Sequence, residues 1–479
     1  MHRLSGTDAL FLAGETPAWH QHIAGLSIID PTDVPDFSYD TVVRSIGARL
    51  PLIPKLTWKL REVPLGLHRA VWIADPDFDV RRHVRRIGVP APGGPRETAQ
   101  TVGQILSTQL DRRYPLWEIW YLEGLVNGRV GFLMKYHHCL LDGVAGSGMA
   151  ALLFDFEPAP PSRPIPALPA PESEPSDAWF VLQSVAASAT VPCHLARYGV
   201  RLVRRGIDAI GYAVSPRPKP DVSAMLQAPR TSFNRSIGPR RSMAFTTVAL
   251  RDVKALRDHY DVKINDIVLA LCSGALCLYL DDRGELPTRT LTAGVPVSTR
   301  TEGDPSLDNQ LSYMVVPLAT DIADPTDRLR AIHRHTRAAK EMTSALREHP
   351  IGSIGETAPP WVLAATMRLA YESHLLSYVP GMMNTIVSNV PGPTSPLYLA
   401  GARLTGIFSA SVILEGMGVN FTVFSLGGRV DFGIHVDPDL VSAPWDLAAG
   451  VSDALTELLA AADLGAPTSV EDAFGIRTG

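Results

Sequence analysis

The chain is poor in cysteine: four in 479 residues, Cys139, Cys193, Cys272 and Cys277, with no CxxC pair among them. That excludes a disulfide framework and fits a reduced, cytoplasmic protein. Neither these cysteines nor the 14 histidines show zinc-ligand spacing, so no metal and no bound cofactor are expected. Long apolar runs are also missing. The longest uncharged one, residues 267–280, falls short of the roughly 20 residues that a membrane-spanning helix needs. The opening Met1-His2-Arg3-Leu4-Ser5-Gly6-Thr7-Asp8 lacks the basic-then-apolar order of a signal peptide, so none is expected. There is no excess of positive charge: the formal net charge of −5 provides no overall field for nucleic acid. Arginine clusters at 81–86 and 201–205 read as solvated helix faces. Familiar catalytic loops are absent too. Ser147 lies in AGSGM, not GxSxG; Gly143, Gly146 and Gly148 run in the wrong order for a dinucleotide loop, and there is no Walker motif.

What is present is a globular chain, 46% hydrophobic and 19% charged, long enough for two domains. Residues 157–177, EPAPPSRPIPALPAPESEPSD, hold eight prolines and read as an extended linker. The expected division is 1–157, then a linker with amphipathic helices over 158–227, then 228–479. Within the middle part, residues 179–214 alternate apolar runs with Arg197, Arg201, Arg204 and Arg205, a pattern suited to packing on the protein body or to an anionic membrane surface. Strands are expected at 131–138, 291–297, 385–388, 419–425 and 429–436, and helices at 144–154 and 265–279. Such interleaving gives an α/β (mixed α+β) architecture.

The chemistry concentrates in Lys135-Tyr136-His137-His138-Cys139-Leu140-Leu141-Asp142-Gly143. Neighbouring side chains on a strand point to opposite faces, so His137 and His138 cannot share one metal or one substrate atom. One faces a reaction centre and the other packs. A histidine at a strand-to-turn junction suits general base work, because its pKa lies near neutrality and one ring nitrogen can stay exposed. Asp142 and Gly143 form a turn signal. A carboxylate there bonds local backbone or a distant arginine, and is too near in sequence to be assumed a relay for His138.

The HHxxxDG string resembles the signature of CoA-dependent acyltransferases and peptide-condensation domains. The opening 4–12 with Glu15-Thr16-Pro17, the Arg113-Tyr114-Pro115-Leu116-Trp117-Glu118 element, Asn265-Asp266, Pro296-Val297-Ser298-Thr299-Arg300 and Ser388-Asn389-Val390-Pro391-Gly392-Pro393 narrow it: the chain is similar to the bacterial wax ester synthase/diacylglycerol acyltransferases over residues 4 to about 445. It departs from the pattern at Asp308-Asn309 and at Ser409-Ala410-Ser411, which bears on substrate choice.

The resemblance implies two chloramphenicol-acetyltransferase-like domains with mixed sheets and a channel between them. It implies His138 as the base that deprotonates the acceptor, acyl-CoA as co-substrate, and diacylglycerol or a long-chain alcohol as acceptor. Pro115 and Trp117 read as structural anchors, Asn265 as an N-cap that also shapes the site, and Arg300 as ionic partner of Asp142. Ser388 and Asn389 are candidates for binding substrate or the oxyanion. Peripheral attachment to a membrane or lipid droplet follows from such acceptors. Two other readings stay open: a condensation-type acyltransferase esterifying a secondary metabolite or glycolipid, and an inactive lipid-binding paralogue. His20, His22 and His435 are left as structural or surface residues.

Overall fold

A computed structural model describes residues 1–140, 152–159, 175–188, 200, 228–298, 311–346, 360–373, 381 and 383–476. Fifteen strands, β1 to β15, form three sheets among them. β1 (His2–Arg3), β4 (Val71–Ala74) and β3 (Trp58–Arg61) make a small antiparallel one. The first large sheet has the order β12 (Tyr398–Leu399), β13 (Ala402–Ala410), β2 (His22–Asp30), β7 (Val130–His137), β6 (Trp117–Glu123), β5 (Val84–Gly88). The second has the order β10 (Leu311–Pro317), β9 (Thr292–Ser298), β11 (Thr385–Val390), β14 (Val419–Leu426), β15 (Arg429–Val436), β8 (Ser242–Ala249). Both large sheets are mixed: β5 runs parallel to β6, β11 runs parallel to β9 and β14, and the other pairs are antiparallel.

Two apolar layers enclose the first sheet. Odd-numbered Leu133 of β7 packs with Val102, Ile105 and Leu106 of helix Pro95–Leu106, while even-numbered Phe132, Met134 and Tyr136 face Trp117, Leu399 and Phe424. The strand is buried on both faces, which is why it reads as a continuous apolar run. The second sheet carries the largest core, built on helices Ile264–Asp281 and Pro444–Ala461. By length and composition Ile264–Asp281 could cross a membrane, but 78% of it is buried inside the protein.

β12 and β13 belong to the second half of the sequence yet complete the first sheet, and β13 packs on β14 and β15 of the second. The division into 1–157 and 228–479 did not contain this exchange. A buried arginine ties the halves further: the Arg241 N–H donates to Ser107 Oγ at 2.8 Å, and its guanidinium donates to the Ala18 carbonyl.

Candidate active site

β7 and β2 pair antiparallel with His22 opposite His137, and the pairing runs on past the strand end: the His138 N–H donates to the Gln21 carbonyl at 2.7 Å. The chain then turns sharply, with the Leu140 N–H donating to His137 O at 2.9 Å and the Cys139 N–H donating to His137 Nδ1 at 3.1 Å. A ring nitrogen that accepts must be unprotonated, so a neutral His137 carries its proton on Nε2. That Nε2 stands 3.7 Å from Glu15 Oε2. His137 is wholly buried, and burial outweighs the pull of Glu15, holding the ring down at about 3. It therefore stays neutral and packs, as alternation requires of one of the two histidines.

The ring of His138 stacks on Phe11, centroids 4.0 Å apart and planes 10° from parallel. Strand alternation gives it the face of Phe132, Met134 and Tyr136. Those three line a cavity of about 130 Å³ between the two large sheets. Its walls are mostly apolar, with the hydroxyls of Ser27, Ser388, Ser409, Ser411 and Thr422 set among them. Apolar volume with a few placed polar groups is the usual make-up of a small-molecule site. The thiol between His138 and the turn is no competing nucleophile: burial pushes Cys139 well above its ordinary value.

Behind His137 lies a cluster that sequence reasoning missed. The Glu15 carboxylate, 4% exposed, accepts from Arg112 Nε at 3.0 Å and Nη2 at 2.6 Å, and its Oε1 lies 3.3 Å from His22 Nε2. A buried carboxylate is tolerable only with such charge-assisted bonds. Lys135, one pair back on the same face, donates through Nζ to Ile105 O at 2.9 Å and to Thr108 O; burial draws it down to about 8. The histidines left as structural or surface residues are all buried. His20 lies 5.6 Å from His22 between ring centroids, and His435 Nδ1 lies 2.6 Å from Ser411 O.

Trp117 is fully buried, donates through Nε1 to Leu56 O at 2.6 Å and stacks on His83. Pro115 and Leu116 precede it at the strand entry, where Leu116 O accepts from the His137 N–H at 3.0 Å. The element thus braces the histidine strand through its backbone. Of the pair Ser388 and Asn389, Ser388 lines the cavity with Val390, and alternation turns Asn389 away. Asn265 does not cap its helix: Ile264–Asp281 has Lys263 at the cap position, and Asp266 accepts the Lys263 N–H at 3.0 Å. Asp266 is the better acceptor, being charged and one position further along, and it also contacts His333 Nδ1 at 2.7 Å. Asn265 is not among the residues lining the cavity. Asp142, Gly143 and Arg300, with the pairing expected between the aspartate and the arginine, lie outside the described residues, as do the helix expected at 144–154 over most of its length and most of 179–214. Among the described residues no group of three or more potential ligands could hold a metal.

Residues 4–268 match the wax ester synthase/diacylglycerol acyltransferase catalytic domain, and residues 307–459 match the WS/DGAT C-terminal domain. The Rv1760 protein of Mycobacterium tuberculosis, provisionally named a diacylglycerol O-acyltransferase, is 34% identical over 470 residues, covering 97% of this chain and 91% of its own. The Rv3087 protein of the same organism, named likewise, is 32% identical over 470 residues, covering 96% and 98%. Among solved structures, the wax ester synthase/diacylglycerol acyltransferase of Marinobacter aquaeolei superposes with a TM-score of 0.67 at 25% identity, over 96% of this chain and 100% of its own. The first condensation domain of the calcium-dependent antibiotic synthetase shares the fold, with a TM-score of 0.58 at 14% identity over 100% and 98% of the two chains. With a two-sheet mixed fold, a paired-histidine strand beside an interior cavity and both domains of the family matched, the chain is an acyltransferase that belongs to the wax ester synthase/diacylglycerol acyltransferase family.

Proposed function

We propose that the protein transfers an acyl group from acyl-CoA to the hydroxyl of diacylglycerol or of a long-chain alcohol, with His138 as general base. The observation that best supports this is the alternation along β7: Phe132, Met134 and Tyr136 wall an apolar cavity, and His138, the first residue past the strand end, continues that alternation without itself lining the cavity. In this reading the His138 ring takes the hydroxyl proton as the oxygen attacks the thioester carbonyl. A tetrahedral oxyanion forms, with Ser388 the candidate donor to it, and collapses with breakage of the C–S bond. The imidazolium returns its proton to the CoA thiolate. His137 does not exchange protons; held between the Cys139 N–H and Glu15, it fixes the turn that presents His138. Both substrates bind together, so the step needs no covalent acyl-enzyme. Since either acceptor partitions into lipid, the protein works at a membrane or lipid-droplet surface without spanning it.

Radiolabelled acyl-CoA offered with diacylglycerol, with hexadecanol and with no acceptor tests the reading. Labelled ester is expected with one or both lipids and absent without them. His138→Ala is expected to lower turnover by about 10²–10⁴-fold with acyl-CoA binding retained, and His137→Ala to be milder. Equal losses in two well-folded variants would defeat the assignment of His138 as the sole base.

A further inference from the structure

The opening of the chain, residues 4–12 with Glu15 close behind, has no task in the transfer described above. In the fold it becomes helix Gly6–Gly14, begun by the Ser5 side chain, which accepts the Asp8 N–H at 3.1 Å. Residues spaced three and four apart share one face of a helix. Asp8, Phe11 and Glu15 have that spacing, and they meet three consecutive residues of the histidine motif in reverse order. Glu15, at the C-terminal cap, stands 3.7 Å from His137 Nε2. Phe11, one turn back, stacks its ring on that of His138. Burial, followed by the Asp8 carboxylate a further turn back, pushes Cys139 upward. The end of the helix is pinned, because Arg112 Nη2 donates both to Glu15 and to the Leu12 carbonyl at 3.0 Å. Phe11 sits between these fixed points and packs on the core of the first sheet.

Rings with centroids 4.0 Å apart and planes 10° from parallel leave no space for a third group between them. One face of the imidazole is thus covered by the phenyl ring, and the imidazole can turn only if Phe11 moves. The phenyl face is also the negative end of a quadrupole. A neutral imidazole gains packing against it. An imidazolium gains electrostatic attraction besides, and gains most where water is excluded, as it is around the buried His138.

We propose that Phe11 is a positioning residue for the transfer: it fixes the plane of the His138 ring, and its π-face stabilises the imidazolium formed as the alcohol proton moves onto that ring. The second part rests on the reading of His138 as general base. Charged and titratable groups act on the residues either side of His138, namely His137 and Cys139, from each flanking segment: Asp8 and Glu15 at the helix, His22 on β2, and Lys55 and Arg112. Glu15 is already engaged by Arg112 and His137. All these groups stay in place when only the electron density of the Phe11 ring is changed, so such a change isolates the stack.

The test replaces Phe11 in the full chain with mono-, di- and pentafluorophenylalanine, which nearly keep its shape while draining the π-face. Turnover of acyl-CoA with hexadecanol should fall in steps, by about tenfold at the pentafluoro ring, with KM for acyl-CoA unchanged. The His138 ring, followed by NMR in isotope-labelled protein without substrates and assigned by its loss in His138→Ala, should titrate at successively lower pH, because an electron-poor face disfavours the imidazolium. Phe11→Leu should move the His138 Cε1 proton downfield, since the stacked phenyl ring current holds it upfield. If that variant fails a thermal-melt check, the fluorinated series carries the test alone. Equal turnover and equal titration through the series overturn the proposal and leave Phe11 as packing. A Cε1 proton that does not move in folded Phe11→Leu overturns the stack itself. Graded titration with no graded turnover supports the stack and refutes the part that rests on His138 as general base.

Discussion

A histidine that is buried with too little negative charge nearby gives up its proton, and several here are in that position. Burial holds His137 and His435 at about 3 and His22 well below its ordinary value. In the unfolded chain each returns to about 6.5. Between pH 6.5 and 3 the unfolded state therefore binds more protons, so stability is complete above that window and drains away as pH falls through it. Each such group costs up to about 1.4 kcal/mol per pH unit. Urea midpoints measured from pH 7 to pH 4 should fall, and His435→Gln should flatten the slope by about one proton. An unchanged slope would mean that His435 is not neutral in the folded protein. At this scale the sequence was legible where a string carries its own geometry. Two adjacent histidines on a strand must part, and they do: His137 to Glu15, His138 to Phe11. Glu15 and Arg112 were not legible, because an ionic pair between distant segments leaves no spacing to read.

Strands β14 and β15 were placed almost to the residue, since near-alternating apolar and polar residues, VNFTVFSL and RVDFGIHV, separated by Gly427 and Gly428 leave little choice. β13, ARLTGIFSA, was not read as a strand, and pattern alone could not have placed it: alternation says which face is buried, not which sheet it joins. Its position depends on close backbone approach. A Cβ on Gly433 of β15 would lie 1.9 Å from Ser409 O of β13, an oxygen that cannot rotate away. Asp431, fully buried, adds a tie by accepting the Ile407 N–H at 2.9 Å and Thr247 Oγ1 at 2.6 Å. Gly433→Ala should thus force the sheets apart and destabilise by about 1–3 kcal/mol, as overpacking does. Gly88→Ala, where the added carbon meets nothing within 4 Å, should stay within about 0.5 kcal/mol. Equal melting temperatures for the two variants would show that the sheets can part at Gly433 without penalty.

For the whole molecule, the Pro-rich segment divides the covalent chain without dividing its sheets. Composition shows where a chain is extended, and nothing in it shows that residues 398–410 return to the first sheet after β11 has been laid in the second. The consequence falls on β2. With β13 removed, β2 becomes an exposed edge that still carries Leu26, Ile28 and Ile29, all fully buried in the intact protein. Long apolar edges recruit other chains. Gln21, the residue just before β2, supplies the carbonyl that holds His138, so losing the outer partner of β2 loosens the motif. Residues 1–157 expressed alone should aggregate or lack a cooperative transition, whereas 1–157 and 228–479 expressed together should co-purify through a tag on one half. The intact chain should unfold in one step, with tryptophan fluorescence and circular dichroism coinciding, because β13 cannot leave the first sheet without also uncovering β14 and β15 of the second. If the N-terminal fragment alone proves monomeric and melts cooperatively, β13 does not complete the first sheet in solution, and the interlock between the halves is refuted.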